Sequence, residues 1–347
     1  MVPTLECGGL ERNVSIICNN IDTTKFEVTL AVLNNHKQFF KITNEDVTVI
    51  DLHILHVRSS LFAIRKLAKE IKPAIILSCA NHLNLLLAMF RGLFPKTVRM
   101  IARESSIVSI NTKHSKFSVV YDRLLRIFYK RIDLVVCQSA FMQEDLLKHY
   151  DVPANKTIVI YNAVLPPKIS TAEQEINNVV KFITVARLSQ EKGIDRLIKA
   201  VALLKFPYQF HIIGEGSMRK KLQQLIDDLD LQQHVFLHGS NKDPFAVVQY
   251  PDLFLMGSYY EGFPNALLEA TAAGIPAVAY NAPGGIAEVL KDQVNGWLVQ
   301  DESIEDFSAA IERAMKFKFN REEIRKFTIN RFDVKKIMAE WEKLFRS

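Results

Sequence analysis

The sequence predicts an α/β protein of two doubly wound, Rossmann-like domains facing a central cleft. Short apolar runs rich in branched residues alternate with longer amphipathic segments, the signature of βαβ units and a parallel sheet. That rhythm stops at a polar segment opening on two prolines, residues 166–178, and then restarts, as expected of a linker between two folding units. A chain of 347 residues is also long for one core of average size.

In the first half, strands are expected at 26–33, 48–51, 74–79, 97–102, 134–137 and 157–161. The helical patterns between them cover 59–71, 82–91, 116–131 and 139–149. In the second half, strands are expected at 179–186, 208–214, 234–239, 253–258, 276–280 and 296–299. Helices alternate with them at 193–205, 217–229, 243–249, 265–273 and 285–290, followed by amphipathic segments at 302–316 and 331–345. The domains expected are 1–170 and 171–330, with 331–347 as a final helix.

The composition, 48% hydrophobic and 24% charged, is that of a folded protein and excludes a disordered or fibrous chain. The net charge of +6 comes from the first half, since the second is slightly acidic, and it suits an anionic partner there. Cys7, Cys18, Cys79 and Cys137 are widely spaced and read as free buried thiols, not as disulfides or a metal site. No 18-residue apolar run and no signal-peptide pattern occurs, which points to the cytoplasm.

In doubly wound sheets ligands sit beyond the carboxyl ends of the strands, so the loops there matter most. ARLSQEKGIDRLIKA (186–200) places Arg187 at a strand exit and Lys192 just before a helix, two cations beside a helix N-terminus, as a diphosphate requires. HIIGEGS (211–217) repeats the turn, with Gly214 and Gly216 open to a close ligand and Ser217 as helix cap. EGFPNALLE (261–269) puts Glu261 in a loop, Pro264 at the first helical position and Glu269 among apolar neighbours. Gly284 and Gly285 follow with backbone N–H groups for an anion or a sugar hydroxyl.

In the first half, Gly8 and Gly9 precede a helix, Arg103 and Glu104 lie at a strand exit, and His82 holds a similar place. For His82 a buried, satisfied imidazole and a functional one are both open. Segment 113–131 combines Phe117, Val120, Leu124 and Phe128 with Lys113, Lys116, Arg123, Arg126, Lys130 and Arg131, a basic amphipathic pattern suited to an acidic bilayer. Neither a P-loop nor a GxGxxG dinucleotide motif is present, and no nucleic-acid reader motif accompanies the charge.

The motifs GGLER (8–12), VCQSAFMQEDL (136–146), IVIYNAV (158–164), ARLSQEKGIDRLIKA, HIIGEG and EGFPNALLE together resemble family 4 of retaining glycosyltransferases, whose fold is GT-B, over essentially the whole chain. The resemblance implies that Arg187 and Lys192 neutralise the donor diphosphate, Glu261 contacts the sugar and Glu269 the ribose. Backbone amides of Gly262, Phe263, Pro264 and Asn265, with Gly214 and the Gly8–Gly9 loop, would close around phosphates and sugar. It places Arg103, Glu104 and His82 on the acceptor or sugar side, and the last helix back on the first domain. The reaction implied is transfer of a hexose or N-acetylhexosamine, with retention and without metal or other cofactor, from a nucleoside-diphosphate sugar, UDP being the expected nucleotide. The acceptor would be a polyprenyl-diphosphate-linked glycan or a surface polysaccharide such as lipopolysaccharide, at the inner face of the cytoplasmic membrane. A non-catalytic scaffold subunit of a polysaccharide assembly machine is the alternative. A phosphorylase would need a pyridoxal phosphate lysine site, and the Glu-x7-Glu pattern disfavours an epimerase.

Relatives of this type open with a complete strand before the glycine loop, whereas this sequence opens MVPTLECGG. Either residues lie upstream, or residues 1–5 form a stunted strand and leave sheet edges and core exposed.

Overall fold

The computed structural model describes residues 1–113, 118–165, 179–300 and 303–347, with no side-chain description at 113. The chain divides into two compact units, Met1–Ala163 with Val334–Ser347, and Val164–Asp333. The expected linker at 166–178, with its boundary at 170, lies outside the described residues.

The first unit contains strands β1 (Val28–Val32), β2 (Val47–Asp51), β3 (Ile75–Ser78), β4 (Arg99–Arg103), β5 (Leu134–Cys137) and β6 (Thr157–Val159). Its helices are α1 (Gly9–Asn20), α2 (Leu61–Ile71), α3 (Asn81–Met89), α4 (Val108–Lys113), α5 (Ser118–Phe128) and α6 (Ala140–Tyr150). All strand pairs are parallel, but they form two sheets, β1-β2 and β3-β4-β5-β6. Met1 and Val2 stitch the sheets together. The Met1 ammonium donates to Leu77 O (2.6 Å), Cys79 N–H to Met1 O (3.2 Å), Val2 N–H to Ala31 O (3.1 Å) and Leu33 N–H to Val2 O (3.0 Å). Val2 makes an isolated parallel bridge to Val32, short of a strand. Towards the other end of β1 and β3 the edges part around a cavity of about 460 Å³, lined by Val14, Ile17, Ile64, Leu67, Ile71 and Phe345 among others.

The second unit is one six-stranded parallel sheet of β7 (Val180–Val185), β8 (Tyr208–Ile213), β9 (Val235–Gly239), β10 (Leu253–Met256), β11 (Ala277–Tyr280) and β12 (Gly296–Val299). The spatial order is β12-β11-β10-β7-β8-β9. Helices α7 (Ile194–Val201), α8 (Arg219–Asp228), α9 (Asn265–Ala272), α10 (Ile286–Val289), α11 (Ile304–Lys316) and α12 (Arg321–Phe332) cover it. Phe182, Phe210, Leu255 and Val278 alternate into a core closed by Leu197, Val201 and Ile311 from the helices. α13 (Val334–Arg346) then completes the first unit, burying Ile337, Met338, Trp341 and Leu344 in its core.

The structure differs from the expectations in three places. The helix expected at 243–249 is a single 3-10 turn at Pro244–Ala246. The helix expected at 331–345 is α13, but it is preceded by a helix the sequence pattern does not predict, α12, capped by the Asn320 side chain on Glu322 N and Glu323 N. Cys18, Cys79 and Cys137 are buried free thiols, but Cys7 is exposed.

Candidate active site

β7 and β10 lie side by side in the second sheet although β8 and β9 separate them in the chain. This reversal of order is the topological switch point, where connections depart in opposite directions and leave a crevice beyond the strand ends. The two loops leaving that point carry the candidate residues. After β7 come Arg187, Ser189, a 3-10 turn at Gln190–Lys192 and Gly193, which leads into α7. After β10 come Gly257, Ser258 and Glu261, leading into α9.

Lys192 Nζ donates to Glu261 Oε1 at 2.7 Å, and Ser258 Oγ donates to the same oxygen at 2.6 Å. Both partners of the ion pair are largely buried, with side chains 20% and 9% exposed. What brings them together is a contact between backbones: Gly193 has φ +56°, and a Cβ there would stand 2.0 Å from Gly257 O. A Cβ on Gly257 would likewise stand 2.3 Å from Gly193 O. Only glycine at both positions allows the two loops to touch.

Arg187 is exposed at the β7 exit. Burial raises the Glu191 carboxyl, but the Ser189 hydroxyl, its own backbone N–H and the charges of Arg187 and Lys192 outweigh that and hold it below its usual value. The Arg187 loop is pinned by the β8 exit, with Leu188 N–H donating to Glu215 O (2.9 Å) and Met218 N–H to Leu188 O (2.8 Å). Gly214 and Gly216 therefore serve the approach of this neighbouring loop, and α8 starts after Met218, not at Ser217.

Glu261 N–H donates to Pro283 O (2.9 Å) and Gly285 N–H to Glu261 O (3.4 Å), so the third loop is zipped to the second by backbone. The Gly285 N–H is thus committed to the protein. Gly262, Phe263 and Pro264 are buried, with the Phe263 ring edge-on to Phe332 at 5.7 Å between centroids. Pro264 occupies the position before the first helical residue and has no N–H. Pro264 therefore supplies no amide, and the Asn265 N–H faces Phe263 O at 3.1 Å. α9 has no side-chain cap, and the N–H groups of its next residues, Ala266 and Leu267, have no intrahelical partner by geometry. Glu269 is 6% exposed, within the buried run of α9.

In the first unit, Arg103 and Glu104 are 1% and 0% exposed and belong to a buried polar network. Arg103 Nη2 donates to Asn162 Oδ1 (2.6 Å), Asn162 Nδ2 to Gln138 Oε1 (2.9 Å) and Gln138 Nε2 to Glu104 O (2.6 Å). Glu104 Oε1 accepts from Asn84 Nδ2 (2.8 Å) and from the Tyr129 hydroxyl, and burial pushes its carboxyl up to about 8 despite the Asn84 bond. His82 is exposed, its ring edge-on to Tyr121 at 5.3 Å. Gly8 precedes the first turn of α1 in extended conformation, and a Cβ there would meet Glu11 Oε2 at 2.2 Å.

On α5, Leu125 is buried while Val119 and Val120 are 79% and 58% exposed, beside exposed Arg123 and Arg126. Residues 114–117 of that basic segment, with Lys116 and Phe117, lie outside the described residues. Among the described residues no cluster of three or more His, Cys, Asp or Glu could hold a metal, and no helix is long and apolar enough to cross a membrane.

Ser258 and Arg196 escaped sequence reading. A serine three residues before a loop glutamate is unremarkable, and Arg196 falls on a helix where an arginine ordinarily faces water.

Residues 7–166 match the family described as Glycosyltransferase Family 4, and residues 167–331 match that of glycosyl transferases group 1. A similar curated protein is the N-acetylgalactosamine-N,N'-diacetylbacillosaminyl-diphospho-undecaprenol 4-alpha-N-acetylgalactosaminyltransferase of Campylobacter jejuni, 29% identical over 86% of this chain and 84% of its own length. The lipopolysaccharide 1,6-galactosyltransferase of Salmonella typhimurium is 31% identical over 47% of each chain. Among solved structures, that of Anabaena HepE in complex with UDP and glucose superposes with a TM-score of 0.80 at 20% identity, covering 100% of this chain and 99% of that one. That of the lipopolysaccharide outer core galactosyltransferase WaaB gives 0.77 at 21% identity, over 99% and 98%. The chain is a glycosyltransferase of the GT-B fold, built from two Rossmann-like domains and related to bacterial enzymes of polysaccharide and lipid-linked glycan biosynthesis.

Proposed function

We propose that this protein transfers a hexose or N-acetylhexosamine from a nucleoside-diphosphate sugar, a UDP-sugar, to a lipid-linked or surface-polysaccharide glycan, with retention at the anomeric carbon and without a metal. The observation that carries this reading is the Lys192–Glu261 pair beside Arg187 at the switch point of the second sheet. Breaking the glycosidic bond leaves negative charge on the diphosphate. Arg187, Lys192 and the N-terminal turn of α9 stabilise that charge more in the transition state than before it, and this difference is the source of rate.

In this reading Glu261 binds and orients. Its Oε1 is occupied by Lys192 and Ser258, which fixes the carboxylate so that Oε2 meets a sugar hydroxyl. It is not assigned as a nucleophile: a front-side route through an oxocarbenium-like state needs none. Glu269 serves the ribose. Support for the donor class also comes from the UDP complexes of HepE, and for the acceptor class from the diphospho-undecaprenol and lipopolysaccharide acceptors in the names of the relatives.

The enzyme would work in the cytoplasm at the inner membrane face, with the exposed Val119, Val120, Arg123 and Arg126 of α5 resting on acidic headgroups. Incubation with UDP-, GDP- and ADP-sugars, each with and without EDTA, tests the reading by nucleotide release. Release from one UDP-sugar, insensitive to EDTA, is expected. No release from any donor in the presence of lipid-linked glycan would leave only a scaffold role.

A further inference from the structure

We infer that Arg196, on α7, is a positioning residue that sets the geometry of the Lys192–Glu261 pair from behind the β10 loop. The inference rests on the transferase reading above. Arg196 is 5% exposed, and its Nε and Nη2 donate to Gly257 O and Ser258 O, each at 2.6 Å. Its guanidinium carbon lies 4.0 Å from the Tyr259 ring centroid and 3.7 Å from that of Tyr280. A planar cation held between two aromatic faces has little freedom to rotate, and its fork fits two successive carbonyls.

The consequence is mechanical. Gly257 and Ser258 open the segment that ends at Glu261, and Ser258 Oγ donates to the Glu261 carboxylate. On its own helix Arg196 stands one turn after Gly193, whose backbone touches Gly257. One side chain thus ties the helix that follows Lys192 to the loop that carries Glu261. Lysine cannot reproduce the fork, and a neutral side chain would leave two buried carbonyls without a partner.

The test is a double-mutant cycle between Arg196→Met and Glu261→Gln, with kcat and KM for the donor measured at each corner. Arg196→Met alone should lower kcat by about tenfold or more, and Arg196→Lys by an intermediate factor. In the Glu261→Gln background Arg196→Met should cost less than about threefold, because the group being positioned is already gone. An equal loss in both backgrounds would overturn the proposal and reduce Arg196 to general support of the fold. If Arg196→Met fails to fold, Arg196→Lys decides by the same cycle.

Hydrogen exchange of the ligand-free protein supplies a readout independent of turnover. The amides of Tyr259, bonded to Glu191 O, and Glu261, bonded to Pro283 O, should exchange about tenfold faster in Arg196→Lys while the β7 and β8 amides stay protected. Unchanged exchange at both amides would overturn the proposal. A wild-type protein with no turnover but faster exchange in the variant would fail the transferase reading and leave the positioning role standing.

Discussion

Lys192 and Glu261, 69 residues apart, share a 2.7 Å hydrogen bond across the switch point of the second sheet. Removing the ammonium leaves the carboxylate of a residue that is 7% exposed, with the Ser258 hydroxyl still donating to it. Lys192→Ala should therefore lower kcat by about tenfold or more, about 1.4 kcal/mol, and also destabilise the fold by about 1–3 kcal/mol. The double variant Lys192→Ala, Glu261→Gln should regain much of the stability and none of the turnover. Thermal melts and steady-state kinetics on the same preparations check both halves, and full turnover in Lys192→Ala would reject its role.

Arg187 offers the contrasting case. It is exposed, so its removal leaves no buried group without a partner. Arg187→Ala should keep its Tm within about 1 °C yet lose about tenfold or more in kcat/KM. Arg187→Lys, which keeps the charge and loses the planar fork, should lie between. Equal kcat/KM in wild type and Arg187→Ala would remove this guanidinium from the site.

The two doubly wound halves were legible because branched strands and amphipathic helices alternate in both. So was the position of Arg187 and Glu261 beyond strand exits and of Lys192 before a helix, since polar loops follow the apolar runs at 179–186 and 253–258. Pairing was less visible. That Lys192 reaches Glu261 and that Arg196 turns inward follow from β7 and β10 being neighbours, that Gly285 spends its N–H on Glu261 follows from β10 and β11 being neighbours, and a linear reading of the chain does not carry strand order. Glu104 illustrates the opposite difficulty: a strand exit suggested access, but Asn84, Gln138 and Tyr129 enclose it from three other elements.

Glu104 also gives the fold a pH dependence. Its carboxyl titrates near 4.5 when exposed and is pushed up to about 8 by burial, so between those values the folded state holds a proton that the unfolded state has released. Stability therefore falls as pH rises through that window, and the contribution is fully present only below about 4.5. Glu104→Gln, which is neutral throughout and keeps an acceptor for Asn84 and Tyr129, should show a smaller loss of Tm between pH 5 and pH 8 than wild type. Parallel Tm-versus-pH curves for the two proteins would contradict the assignment.

The cavity between β1 and β3 supplies the last prediction. At one end, Met1 and Val2 already make strand-like bonds to both edges, so the backbone direction and spacing of an inserted strand are set. Beyond them the slot of about 460 Å³ is lined by apolar side chains from α1, α2 and α13, which would cover such a strand on both faces. An extended segment of about five branched apolar residues joined to Met1 would bury roughly 1.5–3 kcal/mol per inward side chain. Ordering its backbone costs roughly 1–2 kcal/mol per residue, so the net gain is only a few kcal/mol. With a Tm response of about 2–4 °C per kcal/mol for a unit of this size, the extended protein should melt at least about 4 °C higher. A control segment alternating Ser and Gly cannot fill the slot and should give no rise. Equal melting temperatures for the apolar and the Ser/Gly versions would show that β1 and β3 do not accept a strand between them.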